Sequence, residues 1–485
     1  MPATIERVAP GSYQAEAHFY SRVPNAMLHP LVRMFLNLGN DRIATRYCHL
    51  HPEVDPSVVR EVLSTSTRVL RWAGADLFHV TDQSGIRQNV VIETNSSPSG
   101  QKSMPLISED DEMGGYRRLL ERSFLPMLKR RALPSGRLAV LFDKNRMEAS
   151  GYAAVLAELT GEEVLLAHVP HTDPEAIAVE NGVVHVREGE GPDAAWHPIR
   201  AAMRYVTQRP WNRIPPITRT AMLNPVLACL AGGRNKLIAA KAYDFYNADM
   251  AESGLRIRFP ETIWDVPLPE VPLWVERMGG VAVVKNPYSN AGQGVWTITR
   301  PEELATFLEL EHDYDRFVVQ GLVGNLGWTS QTRGRRLYHV GTVPDKHGHI
   351  YVADLRVMVG MSPSGPFPVA LYARRAARPL APSLDDAPDS WSMLGTNLSF
   401  KQGDGSFDTD PSRLMLMDAR DFNRLGLGLD DLTEGYLQTV MSMHAIDRMA
   451  VRLTSSKGRF RRKLFGSLVP DPSLLEEITR DDRDR

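Results

Sequence analysis

Cysteine is nearly missing from this chain: Cys48 and Cys229 are the two in 485 residues. That excludes a disulfide scaffold and a cysteine-rich zinc site, and it suits a reducing cytoplasm. Nowhere do about 18 apolar residues run uninterrupted, the length a membrane helix needs. Met1–Tyr20 also lacks the basic start and apolar block of a secretory signal. An excess of one charge is lacking too. Lysine and arginine number 56 against 58 aspartates and glutamates, a formal net charge of −2. The chain therefore has no global field for gripping nucleic acid or an anionic bilayer. It has no internal repeat, no low-complexity tract, and no Gly-Lys-Ser/Thr opening a helix, so a Walker A loop is excluded. What is present, 43% apolar and 24% charged residues, is the balance of a packed soluble protein rather than a disordered one. The length is about three times the roughly 150 residues of one domain, so several packed units are expected.

Asp55-Pro56 reads as a helix cap and first turn, with Val59, Val62, Leu63, Ser66 and Leu70 at helical spacing and an end at Gly74. Strands are expected at Ala75–Val80 and Asn89–Glu93, followed by a Ser/Asn/Pro/Gly loop over Thr94–Pro105. A helix at Tyr116–Arg131 leads to strand Leu138–Phe142, helix Glu148–Leu159 and strand Glu163–Val169, a βαβ unit of the doubly wound kind. Ile177–Val186 reads as a hairpin turning at Asn181-Gly182. A strand at Ala201–Val206 and an apolar helix near Ala221–Ala231 follow. From about Val271 the pattern becomes antiparallel β, with strands at Val281–Lys285, Gly294–Thr299, Phe317–Gln320, Leu337–Thr342 and Tyr351–Val359, and a last long helix over Leu432–Val451. The class is α/β with an α+β portion.

Three segments carry chemistry. In Val283-Val284-Lys285-Asn286-Pro287-Tyr288-Ser289-Asn290-Ala291-Gly292-Gln293-Gly294 a strand closes on lysine and a Ser/Asn/Gly turn follows. Glycines let backbone N–H groups approach an anion, and the lysine adds a point charge for phosphate; a plain hairpin with a glycine turn suits the same pattern. In Val90-Val91-Ile92-Glu93-Thr94-Asn95-Ser96-Ser97-Pro98-Ser99, Glu93 and Asn95 project to one face of a strand end as hard oxygen donors, with Asp76 on the neighbouring strand as a third. The alternative for Asp76 is a solvated acidic edge. In Val352-Ala353-Asp354-Leu355-Arg356-Val357, two charges alternate with apolar residues, and Arg374-Arg375 and Thr396-Asn397-Leu398 follow. Arginines converging on a phosphate or carboxylate would neutralise charge developing during transfer. His168 and His171 are too few for a metal site, and the basic run Lys457–Lys463 reads as a solvated helix end.

Together these segments resemble the ATP-grasp superfamily of carboxylate ligases. Asn235-Lys236 is similar to the pair that opens the adenine-side helix of that fold, and Lys285 with its glycine loop resembles the second ATP lysine and mobile phosphate flap. Phe317-Val318-Val319-Gln320 resembles the strand leading to the nucleotide hinge, where the backbone reads adenine; the family often has an acidic residue where this chain has Gln320. Asp354-Leu355-Arg356, Arg374-Arg375 and Thr396-Asn397-Leu398 resemble its later strands. Gly74-Ala75-Asp76-Leu77 and Glu93-Thr94-Asn95-Ser96-Ser97-Pro98 resemble its metal-binding elements. The order differs from most members: Glu93 precedes the lysines by roughly 140 residues instead of following them. A circular permutation accounts for this, in the manner of glutathionylspermidine synthetase-like ligases, because chain ends are at the surface and often close together.

The resemblance implies an ATP-grasp fold with a Rossmann-like domain before it. It divides the chain into a permuted metal-binding part (1–130), a Rossmann-like substrate domain (131–270), a lid subdomain (271–350) and the remainder of the ATP-grasp C-terminal subdomain (351–485). It implies an ATP-dependent ligase that joins a carboxylate to an amine, an amino acid or small peptide among them, through an acyl phosphate, releasing ADP and phosphate. ATP would lie on Lys236, Lys285, Ser289, Gly292, Gly294 and Gln320, with two Mg²⁺ ions on Asp76, Glu93 and Asn95. Arg356, Arg375 and Asn397 would serve the transfer, and Arg204, Ser97 and Ser99 the substrate. A kinase acting on a small-molecule hydroxyl, a thiol acceptor on a carrier protein, and a nucleotide-binding regulator without catalysis remain as alternatives. A homodimer is left open, and neither nucleic acid nor membrane is expected as a partner.

Overall fold

Asp55 caps its helix as its position predicts: Oδ1 accepts from the Ser57 N–H at 2.8 Å, and Pro56 opens helix Pro56–Ser64. The helix stops at Ser64, short of the Gly74 expected from periodicity. The reason lies almost 400 residues away. The Asp447 carboxylate takes the N–H groups of Arg68, Val69 and Leu70 at 3.0, 2.7 and 2.9 Å, and Asn224 Oδ1 takes that of Arg71 at 2.6 Å. Donors that a longer helix would have used internally are satisfied in an extended segment instead. Strand Trp72–Asp82 begins directly after it.

The computed structural model describes residues 4–479 except 109–110, 130–131, 192, 207–212, 289–293, 333–334, 386, 388 and 402–406. Three large sheets organise them, besides a two-stranded pair of Ser399–Lys401 and Phe407–Thr409. The first has a parallel core: Arg137–Phe142 lies between Val164–His168 and Ala195–Tyr205, with helix Arg146–Thr160 as the crossover. Ala221–Leu223 adds a further parallel strand on Ala195–Tyr205. This corrects the helix expected over Ala221–Ala231; only Val226–Ala228 is α-helical there, followed by a wide turn at Cys229–Gly233. Pro225 has no N–H to give a helix, and the Asn224 side chain donates to the carbonyls of Trp72 and Ser96. The hairpin turns at Asn181 and Gly182, both with positive φ as a type I′ turn requires. Thr4–Val8 closes the far edge, antiparallel to Val164–His168.

The second sheet has four antiparallel strands in the order Thr262–Pro267, Arg316–Gly321, Ala282–Lys285, Val295–Ile298. Val266, Val284, Phe307, Phe317 and Val319 give it a core of its own. The third sheet joins distant parts of the chain. Strand Trp72–Asp82 pairs with Arg87–Asn95 on one edge and with Ala353–Ser362 on the other, and Gly365–Arg375 continues beyond. Helix Leu429–Arg452, buried over most of its length, packs beneath this sheet. Gly435 permits the close approach: a Cβ there would stand 3.0 Å from Leu77 Cδ1. Among the described residues no helix is long and apolar enough to cross a membrane.

Candidate active site

The third sheet presents four buried charges on one face. Arg356 is opposite Asp76 across the strand pair, and Arg374 is opposite Asp354. Arg356 Nε and Nη2 donate to Asp76 Oδ1 and Oδ2 at 2.5 and 2.6 Å, and Arg374 Nη2 reaches the same Oδ2 at 3.0 Å. Arg374 also grips Asp354 with Nε at 3.0 Å and with Nη2, and Thr396 Oγ1 donates to Asp354 Oδ2 at 2.8 Å. Burial opposes ionising Asp76, but the two guanidinium groups outweigh it and hold the carboxyl down at about 2. Asn397 Oδ1 accepts from Arg374 Nη1 at 3.3 Å.

Two lysines approach this face from the second sheet and from helix Lys236–Asp249. Lys285 ends its strand with Nζ 2.6 Å from Gln320 Oε1 and 3.4 Å from the Ile92 carbonyl, on the strand that carries Glu93. Lys236 Nζ stands 3.5 Å from Glu93 Oε1. Asn235 caps its helix, taking the Ile238 N–H on Oδ1 at 3.1 Å. Burial brings the Lys285 ammonium down to about 8 despite the Glu93 carboxylate, and nearby Lys236 lowers it further. Burial lowers Lys236 as well.

Two cavities meet at this wall. One, about 100 Å³, lies between the second and third sheets and is bordered by Lys236, Lys285, Gln320 and an apolar group including Phe78, Val323 and Leu394. The other, about 150 Å³, is mostly polar and reaches toward the C-terminal end of strand Arg137–Phe142 in the parallel core. Asp76, Glu93, Arg374 and Asn397 border both.

Most residues singled out in the sequence converge here, with informative exceptions. Asp76, Glu93, Asn95, Ser97, Ser99, Arg356 and Asn397 line the polar cavity, and Lys236, Lys285 and Gln320 the other. Ser99 Oγ accepts from Arg356 Nη1 at 3.4 Å, and the Ser97 hydroxyl is buried without a partner among the described residues. Gly294 sits at positive φ beside strand Val295–Ile298, its carbonyl taking the Asn286 N–H at 2.6 Å. Ser289 and Gly292 lie outside the described residues. Gln320 acts through its side chain, accepting from Lys285 and donating to Thr262 Oγ1 at 2.8 Å, because its backbone is flanked by strands on both sides. Arg375 is a correction. It packs 4.8 Å over the Tyr351 ring, on the sheet face opposite to Arg374, which takes the position in the cleft. Arg204 is another. It is fully buried and donates to the carbonyls of Asn224 and Val206 at 2.7 and 2.6 Å and to Cys229 Sγ, so it clamps the parallel sheet instead of meeting substrate.

The hard oxygens of Glu93 and Asn95 fit a divalent cation shared with phosphates. Those of Asp76 are each taken by a guanidinium, so a cation there displaces an arginine contact. Among the described residues no three His, Cys, Asp or Glu side chains form a metal cage. Residues not foreseen in the cleft are Lys102, Lys144, Arg234 and Glu148. A signal for Lys144 existed: Asp143-Lys144-Asn145 follows a parallel strand directly, where ligands of α/β sheets gather. Glu148 takes the N–H groups of Gly100 and Gln101 at 2.5 and 2.6 Å on Oε1 and the Tyr205 hydroxyl at 3.0 Å on Oε2. It thereby pins the loop after Asn95 to helix Arg146–Thr160.

No family model and no curated protein matches the chain. Among solved structures it is similar to an ATP-grasp RimK domain protein from Sphaerobacter thermophilus, 14% identical with a TM-score of 0.29, over 48% of this chain and 90% of the other. It is also similar to a glutathione synthetase-like effector from Globodera pallida in its apo form, 9% identical with a TM-score of 0.36, over 73% of this chain and 86% of the other. Likeness of this degree assigns no family; the cleft itself is what speaks for function.

Proposed function

We propose that this chain is a circularly permuted ATP-grasp enzyme that ligates a carboxylate to an amine at the expense of ATP. The observation that carries the reading is the wall shared by two cavities, with buried Lys236 and Lys285 on one side and a polar chamber on the other. The smaller cavity suits a nucleotide. Phe78, Val323 and Leu394 offer an apolar face for the base, and the two lysines offer charge for its phosphates. The pairing of Trp72–Asp82 with Ala353–Ser362 is what a permuted chain needs to rebuild one sheet from its two ends.

In this reading the substrate carboxylate attacks the γ-phosphorus from the polar chamber and ADP leaves. The amine then attacks the acyl carbon, loses a proton, and expels phosphate. Arg356 and Arg374, fixed by Asp76 and Asp354, hold the carboxylate and the transferred oxygens without having to reorganise. Lys236 and Lys285 hold the oxygens of the leaving diphosphate. Glu93 and Asn95 would hold magnesium, which when bound neutralises charge between the β- and γ-phosphates. Burial of Asp76, Asp354, Arg356 and Arg374 limits the water that reaches an acyl phosphate.

The test is ADP release by the full chain with Mg-ATP, small acids and amines, with hydroxylamine added as a trap. Hydroxamate formation coupled to ADP supports ligation. A stable phosphate ester of a hydroxyl substrate would make the chain a kinase, and failure to bind Mg-ATP would end the nucleotide reading altogether.

A further inference from the structure

Within the polar chamber the charges do not balance. Asp76 and Asp354 are paired with Arg356 and Arg374, Glu93 faces Lys236, and Glu148 meets only neutral donors, the N–H groups of Gly100 and Gln101 and the Tyr205 hydroxyl. Against that one carboxylate, three cations lack an ion pair among the described residues, so positive charge is in excess. Arg234 is 7% exposed and borders the chamber, and no hydrogen bond or ion pair of its guanidinium is found among the described residues; its Nε is fully enclosed and unpartnered. Lys144 borders the same space with no ion pair among the described residues, and Lys102 reaches it with its Nζ 5.0 Å from the Tyr20 ring. Burial and the nearness of Arg234 and Lys102 bring the Lys144 ammonium down to about 8, even with Asp143 opposing. The Ser97 hydroxyl and Asn95 amide nitrogen, both buried and unpartnered among the described residues, border the same chamber.

An unpaired buried guanidinium costs several kcal/mol unless an anion completes it. One buried guanidinium and two half-buried ammonium groups around one cavity, with several polar groups between them, describe a site for an anion. Arg356 and Arg374 already stand at the wall shared with the nucleotide cavity, so the reacting carboxylate has its own partners. We propose that the acid substrate carries a second anionic group, carboxylate or phosphate, bound by Lys102, Lys144 and Arg234, and that monocarboxylates and apolar amino acids are excluded. This rests on the ligase reading for the fate of the first carboxylate, but the binding is measurable without turnover.

The experiment is titration calorimetry of the full chain, free of nucleotide, with glutarate, citrate and 3-phosphoglycerate against acetate and butyrate. At least one of these acids, each with two or more anionic groups, should bind at least tenfold more tightly than either monocarboxylate. Which of glutarate or 3-phosphoglycerate leads decides between carboxylate and phosphate. In the Lys102→Gln/Lys144→Gln variant that preference should fall at least tenfold, with the affinity for a non-hydrolysable Mg-ATP analogue changed less than twofold. Equal binding of mono- and dianions, no binding of any acid, or an unchanged preference in the double variant overturns the inference. Loss of the nucleotide analogue from the unmutated chain, with dianion preference kept, overturns the ligase reading instead. An Arg234→Lys variant, keeping charge but losing the fork, serves as a second probe and should weaken the dianion more than acetate.

Discussion

Asp76 and Arg356 are 280 residues apart in the chain and face each other across one strand pair, joined by two hydrogen bonds of 2.5 and 2.6 Å. The pair ties the early part of the chain to the late part at the centre of the cleft. Removing one member of a buried ion pair leaves the other uncompensated, which costs about 3–5 kcal/mol. Asp76→Asn should therefore lower the unfolding free energy by about that much in a urea titration. Because the two guanidinium groups hold the Asp76 carboxyl at about 2, below its unfolded value, its contribution is complete above about pH 4. It fades as pH falls from there through 2. The stability gap between the parent chain and Asp76→Asn should be constant from pH 5 to 7 and close toward pH 2. A gap that widened in acid would contradict the assignment.

Adjacent arginines separate structure from chemistry. Arg374 holds both Asp76 and Asp354 in the cleft, whereas Arg375 lies over Tyr351 on the other face. Arg374→Ala should abolish measurable ADP release and destabilise the fold. Arg375→Ala should leave kcat/KM within about threefold and cost no more than about 1 kcal/mol, the value of an exposed cation–π contact. Comparable losses in the two variants would show that the face assignment is wrong.

Glu93 pairs with Asp76 in the sheet, while its side chain is partly exposed to the cleft and faces Lys236. Glu93→Ala should fold normally, with a melting temperature within a few degrees of the parent. If its oxygen holds magnesium beside the phosphates, turnover should fall at least about 100-fold, the equivalent of about 3 kcal/mol of transition-state stabilisation. The Mg²⁺ concentration for half-maximal activity should rise with it. Retained activity in this variant would falsify the metal role.

The reach and the limit of the sequence are both visible in the arginine pair. Glu93 and Asn95 were legible because two oxygen donors two apart on an apolar strand can only share a face, and Lys285 because it closes a strand before a glycine turn. Which of Arg374 and Arg375 faces Asp354 depends on hairpin register. Near the turn Ser362 pairs with Gly365, and carrying that register along the strands would put Ala373 opposite Asp354 and turn Arg375 to the cleft face. A bulge between Met358 and Val359 shifts the pairing by one residue, so that Arg374 meets Asp354. No residue type announces that bulge. Arg204 is hard to place for a related reason. Besides the nearby Val206 carbonyl, its partners are the Asn224 carbonyl and Cys229 Sγ, brought near by the strand at Ala221–Leu223 and the turn after it, where apolar periodicity suggests a helix. Lys102 and Arg234 gained their meaning only when two loops from different sheets closed on one chamber.

Lys285 gives a prediction in pH. Burial places its ammonium at about 8, so between pH 7 and 9 it loses most of its charge in the free protein. A bound phosphate favours the charged form, and nucleotide affinity is then linked to proton uptake. Affinity for a non-hydrolysable Mg-ATP analogue should be greatest below pH 8 and fall by up to tenfold for each further unit of pH. Stability of the unliganded chain moves the opposite way. The lysine pays its burial penalty while charged, so the fold should gain stability as pH rises through 8 toward the unfolded value of about 10.4. Lys144 lies in the same pH range but borders the other cavity, so Lys285→Gln separates the two. In that variant the nucleotide affinity should be weak and nearly flat from pH 7 to 9. A slope that survives the substitution would assign the proton to another group and remove Lys285 from the phosphate site.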